Sequence, residues 1–271
     1  MPAPLRQVRA VWRLLRVLLH VLHGAWTIRW TFPALDAAQR QARVQRWAQA
    51  LLRHLGIALE VRGTPDPQRP LLLVSNHISW VDIAVIHAVV FCRFISKDEV
   101  RGWPVLGLLA SGAGTLFIAR ASRRDALRVV HHMVEQLRAG DVLAVFPEGT
   151  TGDGSSVLPF HANLLQAALA APCAVQPLAL QFRDQRSGLP SRAPCYVGDD
   201  TLLQSLWRTL CSSDVCAQLH FGVSEFAQGR ERRAWAGDLQ ASVQALCAPL
   251  DDARITGAAI APAPVPPTRS H

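Results

Sequence analysis

Lysine is almost missing from this 271-residue chain: among 28 basic side chains only Lys97 is a lysine, an imbalance that reads as coding bias. Acids are missing from its start. Residues 1–56 hold nine arginines against one acid, Asp36, so this segment carries the whole net charge of +8. Acidic membrane and nucleic acid are the two partners such a patch attracts. Nucleic acid is set aside, because one amphipathic helix lacks the aromatic or groove-reading context that binding requires. The six cysteines form no C-x-x-C pair and no zinc-ribbon spacing, which leaves ordinary buried thiols in a reduced, cytosol-facing domain. No His, Cys and carboxylate cluster has metal-ligand spacing, so no metal or other cofactor is expected. There is no G-x-S-x-G elbow and no internal repeat.

A clean membrane-spanning run is missing too. Residues 8–32 are long enough at about 1.5 Å per residue to cross a bilayer. However, Arg9, Arg13, Arg16, His20 and His23 recur at helical spacing and form one stripe. A central arginine costs roughly 3 kcal/mol to insert. A helix lying in the interface avoids that cost, and each basic residue near anionic lipid gains about 1 kcal/mol. The other faces carry Val8, Val11, Trp12, Leu15, Leu18, Leu19, Leu22 and Trp26. No small-residue cleavage site marks a signal peptide. Pro33 breaks the chain before a second helix, residues 35–56, with Val44, Trp47, Leu51 and Leu55 on one side and Arg40, Arg43, Arg46 and Arg53 as further charge. Residues 1–56 are therefore predicted to be a helical membrane-docking segment, with the basic stripe drawn to anionic lipid.

Half the residues are hydrophobic, enough for a sizeable core. Apolar or β-branched runs at 58–62, 71–75, 93–96, 115–118, 142–146, 175–182 and 217–221 alternate with helical stretches at 81–90, 123–139, 162–171, 202–210 and 232–248. That alternation predicts a layered α/β domain over residues 57–250, with a largely parallel sheet flanked by helices. Residues 251–271 are rich in Pro and Ala, lack apolar periodicity and are expected to be disordered.

The run Leu71–Ser75 leads directly into Asn76-His77-Ile78-Ser79-Trp80-Val81-Asp82. Reactive groups gather at the carboxyl ends of parallel strands. A histidine in the turn and an aspartate just inside the next helix can meet, the carboxylate fixing the imidazole tautomer. The spacing alone is weak: 10 His and 14 Asp give about 0.5 such pairs per chain by chance.

Later features appear in a telling order. NHISWVD resembles the N-H-x4-D motif of the glycerolipid acyltransferase family, which includes 1-acylglycerol-3-phosphate acyltransferases. Gly114–Arg120 resembles its G-x-x-F-I-x-R block and Phe146-Pro147-Glu148-Gly149-Thr150 its F-P-E-G-T block. Val175–Leu180 resembles its V-x-P-V-A-I strand, and Trp103–Gly107 a helix preceding the second block. The resemblance spans about residues 40–225. It implies O-acyl transfer from acyl-CoA or acyl carrier protein to the hydroxyl of a lysolipid, at the cytoplasmic face of the inner membrane. It further implies His77 as catalytic base beside Asp82. Arg120, Glu148, Gly149, Thr150, Asn76 and Lys97 are the implied substrate-binding residues, Arg120 as a phosphate clamp. Direct transfer needs no nucleophilic side chain.

The chain departs from the family pattern after Thr150. An arginine, then often serine, is usual there; here Thr151-Gly152-Asp153-Gly154 follows. A P-F-K-x-G segment is replaced by Pro159-Phe160-His161-Ala162-Asn163. The E-G-T-T-x-D-G form resembles a bacterial subgroup that includes lyso-ornithine lipid acyltransferases. The expected acceptor is 1-acylglycerol-3-phosphate, with lyso-ornithine lipid or another lysophospholipid as the alternative and a non-catalytic lipid-binding protein as a distant one.

Overall fold

The computed structural model describes residues 3–118 and 123–248, so residues 251–271 and their expected disorder lie outside the described residues. Seven strands, β1 (Ile57–Arg62), β2 (Leu71–Ser75), β3 (Arg93–Lys97), β4 (Leu116–Ile118), β5 (Val142–Val145), β6 (Ala174–Asp184) and β7 (Val215–Phe221), join in the order β1-β7-β6-β2-β5-β3-β4. Every neighbouring pair is parallel except β6 with β7. β2 lies between β5 and β6, and Leu71, Leu72, Leu73 and Val74 are all fully buried. A strand covered on both faces reads as an unbroken apolar run.

Among the described residues eight α-helices cover the sheet: α1 (Ala3–Trp30), α2 (Ala37–Leu55), α3 (Asp82–Val89), α4 (Leu106–Gly112), α5 (Arg123–Arg138), α6 (Gln166–Ala170), α7 (Leu202–Cys211) and α8 (Arg232–Cys247). Leu71 and Leu73 face a core shared with α1, α2 and α3, including Val17, Leu52 and Val85. Leu72 and Val74 face the opposite core, with Met133 of α5, Ala167 of α6 and Trp235 of α8. The helix expected over 162–171 divides into a 3-10 turn, Ala162–Leu165, and α6. Asp36 starts α2 through a capping box with Gln39, and Gly56 ends it with a φ of 76°.

α1 corrects one expectation. The basic stripe does not lie toward lipid as a whole, because part of it packs on the protein. Arg13 donates to the carbonyls of Leu210 (3.1 Å) and Ser212 (2.6 Å), and Arg9 to that of Cys211 (3.1 Å). These carbonyls end α7, where the helix dipole is negative and favours a cation. His20 lies inside as well, its Nε2 3.0 Å from the Trp47 carbonyl and its ring stacked 5.0 Å from the Trp47 ring. Arg16 and His23, at the margins of the stripe, remain exposed. The face turned outward is the apolar one: Val8, Val11, Trp12, Leu15, Leu18, Leu19, Leu22, Trp26 and Trp30 are all exposed. Among the described residues no helix is long and apolar enough to cross a membrane.

Candidate active site

His77 stands in the turn between β2 and α3, and Asp82 is the first residue of α3. The two side chains meet: His77 Nδ1 is 2.7 Å from Asp82 Oδ2. That oxygen also accepts the backbone N–H groups of Ile78 (2.7 Å) and Ser79 (2.9 Å). An acceptor-only carboxylate suits three donors. Asp82 is fully buried, whereas the His77 side chain keeps 20% of its surface exposed. With Nδ1–H donated to Asp82, Nε2 is the nitrogen left to accept a proton.

The turn itself is fastened from several sides. The Asn76 side chain donates to the Leu180 carbonyl (2.9 Å) and accepts the Leu180 N–H (2.8 Å), tying the end of β2 to β6. Asn76, expected as a substrate-binding residue, is buried here with both ends of its amide engaged by Leu180. Tyr196 N–H donates to the Ile78 carbonyl at 3.1 Å, and the Ser79 hydroxyl donates to the Pro194 carbonyl. The Thr151 hydroxyl donates to the Tyr196 carbonyl. Residues 194–196 thus form a brace beside the turn that carries His77. No sequence signal marks them.

The turn after β5 completes the site. Phe146 stacks on the His77 ring, with centroids 4.0 Å apart and planes 9° apart, and Phe94 stacks behind it at 5.6 Å. The F-P-E-G-T block contained Phe146, but nothing in its spacing revealed the stack. Glu148 is buried, and its Oε1 accepts the backbone N–H of His77 at 3.0 Å. Burial pushes its carboxyl up to about 7, against the opposing pull of the His77 and Leu158 amides. Gly149 (φ 71°) and Thr150 are exposed beyond it. A Cβ on Gly149 would come within 3.1 Å of the His161 ring, so a side chain here is excluded twice, by backbone and by space. Lys97 ends β3 at the same carboxyl edge and is exposed, but no contact joins it to His77 among the described residues. Arg120 lies outside the described residues. Among the described residues, no three His, Cys or carboxylate side chains are grouped to hold a metal ion.

Residues 39–181 match the family model described as Acyltransferase. A lyso-ornithine lipid O-acyltransferase of Pseudomonas aeruginosa is 39% identical over 223 residues, spanning 82% of this chain and 85% of that protein. A 1-acyl-sn-glycerol-3-phosphate acyltransferase of Neisseria meningitidis is 36% identical over 219 residues, spanning 80% and 84%. The crystal structure of the 1-acyl-sn-glycerophosphate acyltransferase of Thermotoga maritima matches with a TM-score of 0.59 at 20% identity, over 89% of this chain and all of the other, which shows a shared fold.

Proposed function

The chain belongs to the acyltransferase family, and we propose that it moves a fatty acyl chain from acyl-CoA or acyl carrier protein to the free hydroxyl of a lysolipid at a membrane surface. The observation that carries this reading is the 2.7 Å contact of His77 Nδ1 with buried Asp82 in a partly open turn. Asp82 holds the tautomer. His77 Nε2 takes the proton of the acceptor hydroxyl as its oxygen attacks the thioester carbon. Collapse of the tetrahedral intermediate breaks the C–S bond, and the imidazolium returns the proton to the departing thiolate.

Gly149 and Thr150 are exposed where a headgroup can approach, and the family resemblance assigns Arg120 and Lys97 as its cations. These cations favour 1-acylglycerol-3-phosphate, giving phosphatidic acid. A second acceptor, lyso-ornithine lipid, is favoured by Thr151. It offers no cation, and its hydroxyl is engaged with the Tyr196 carbonyl. The relative from Pseudomonas aeruginosa carries that name. The exposed apolar face of α1 supports docking on lipid, with the cytoplasmic leaflet as the expected surface.

Purified protein on anionic vesicles, given labelled acyl-CoA or acyl carrier protein and each acceptor in turn, tests the reading. His77→Ala should lower turnover by about 10²–10⁴-fold, the usual contribution of a general base. Undiminished turnover in that variant would remove His77 from the mechanism. The acceptor with the higher kcat/KM identifies the headgroup.

A further inference from the structure

We propose that Glu148 is a positioning residue, which holds the catalytic turn through the main chain of His77 and does not contact the acceptor. The inference rests on His77 being the base of acyl transfer. β5 and β2 are adjacent and parallel, so their following turns emerge at one edge. Their ladder ends at Val74 and Val145, and two bonds continue the connection beyond it. Glu148 Oε1 accepts the His77 N–H at 3.0 Å, and the Gly152 N–H donates to the His77 carbonyl at 2.8 Å. One turn, residues 146–152, therefore grips both polar groups of the His77 backbone. Phe146, from the same turn, lies flat against the ring. With Asp82 on Nδ1, the histidine has neither backbone nor ring freedom to drift.

The burial of Glu148 separates this role from headgroup binding. Only 5% of the residue is exposed, while Gly149 and Thr150 next to it are open. A headgroup arriving from lipid meets those two residues, and little carboxylate surface. Charge is also secondary to reach. A carboxyl that titrates at about 7 is present in both forms near neutrality. Either form keeps an oxygen that can accept the His77 N–H. A residue binding an ammonium headgroup, or moving a proton, would need its charge. A positioning residue needs its length.

Substitutions at Glu148 separate length from charge. Glu148→Gln keeps the reach and an acceptor oxygen, and puts an amide in place of Oε2, which has no hydrogen-bond partner among the described residues. Glu148→Asp keeps the charge and loses the reach. On vesicles carrying either acceptor, Glu148→Gln should retain kcat within about fivefold. Glu148→Asp and Glu148→Ala should lose about 10²-fold, as expected for a catalytic group displaced by about 1 Å. Acceptor KM should stay within about twofold in all three, because no ground-state contact is removed. A readout that needs no turnover is the rate at which diethyl pyrocarbonate carbethoxylates His77, followed by mass spectrometry. It should match wild type in Glu148→Gln and differ severalfold in Glu148→Asp. An Asp variant more active than the Gln variant overturns the proposal, as does an acceptor KM raised about tenfold by Gln with kcat kept. Should the wild-type protein acylate no acceptor, the acyl-transfer reading fails by itself. The carbethoxylation rates then still decide on Glu148, with equal rates in all variants counting against it.

Discussion

His87 lies outside the proposed mechanism. It lies buried on α3, its ring 5.0 Å edge-on from that of Phe94, and neither ring nitrogen has a hydrogen-bond partner among the described residues. Burial lowers its pKa from 6.5 to about 4. The folded state therefore keeps the ring neutral, and there is no penalty above pH 6.5. As pH falls below 6.5 the unfolded chain takes up the proton first, and stability is lost down to about pH 4. That loss is on the order of 3 kcal/mol for this one group. Glu148 works in the opposite direction, since its raised pKa lets the folded state bind a proton as pH falls from 7. His87→Phe isolates the histidine, because a ring of similar size stays among Phe91 and Phe94. Denaturant midpoints at pH 7 and pH 4.5 should fall less in the variant than in wild type. An equal fall in both proteins would rule His87 out as the source.

α1 shows how an amphipathic element can present either face. Its inner face carries Ala10, Val17 and Gly24 together with Arg13 and His20. Its outer face is an unbroken apolar surface with Trp12, Trp26 and Trp30, and Arg29 lies over the Trp30 ring at 4.8 Å. α4 packs against α1. A Cβ at Gly112 would overlap Ile28, so the two helices approach closely there, and Trp103, Leu106 and Leu108 are exposed nearby in sequence. Arg6, Arg16 and Arg29 of α1 are also exposed, and under the proposed docking they are the cations that meet anionic lipid. Replacing Trp12, Leu15 and Leu19 together by serine removes outer-face area alone. Each large side chain taken out of contact with lipid should cost about 1.5–3 kcal/mol of partitioning. Flotation with anionic vesicles should therefore drop steeply while the thermal midpoint holds. Unchanged flotation would exclude this face as the docking surface.

At the scale of the whole molecule the helical pair and the sheet are not independent. Ala10 and Val17 of α1 and Leu52 and Leu55 of α2 belong to the same core as Leu71, Leu178 and Leu219 of the sheet. Arg9 and Arg13 also cap the end of α7. Removing residues 1–33 uncovers that core and strips carbonyl partners from α7. The truncated protein should unfold at a lower temperature, having lost several kcal/mol of burial and capping. Thermal melts in detergent check this, and an unchanged midpoint would mean that α1 is only an attachment. Loss of lipid binding after truncation would therefore mix two causes, which the serine variant keeps apart.

The order of strands and helices was legible in the sequence because it depends on local periodicity, and all seven expected strands are present within a few residues. The meeting of His77 with Asp82 was legible because both residues lie on one short strand-to-helix turn. The gathering of the F-P-E-G-T block beside them followed from parallel strands ending at a common edge. Partners distant in sequence were not legible. Asn76 binds the backbone of Leu180 and Glu148 that of His77, and neither side chain type indicates which amide it will meet. The antiparallel entry of β7 was likewise decided by the chain's path after β6. α1 is the clearest case. Its period separated an arginine stripe from an apolar one, but which stripe turned inward depended on the carbonyls at the end of α7, about 200 residues away. Helical periodicity sets which residues share a face. Only tertiary packing, through partners that can satisfy a buried charge, sets what that face meets.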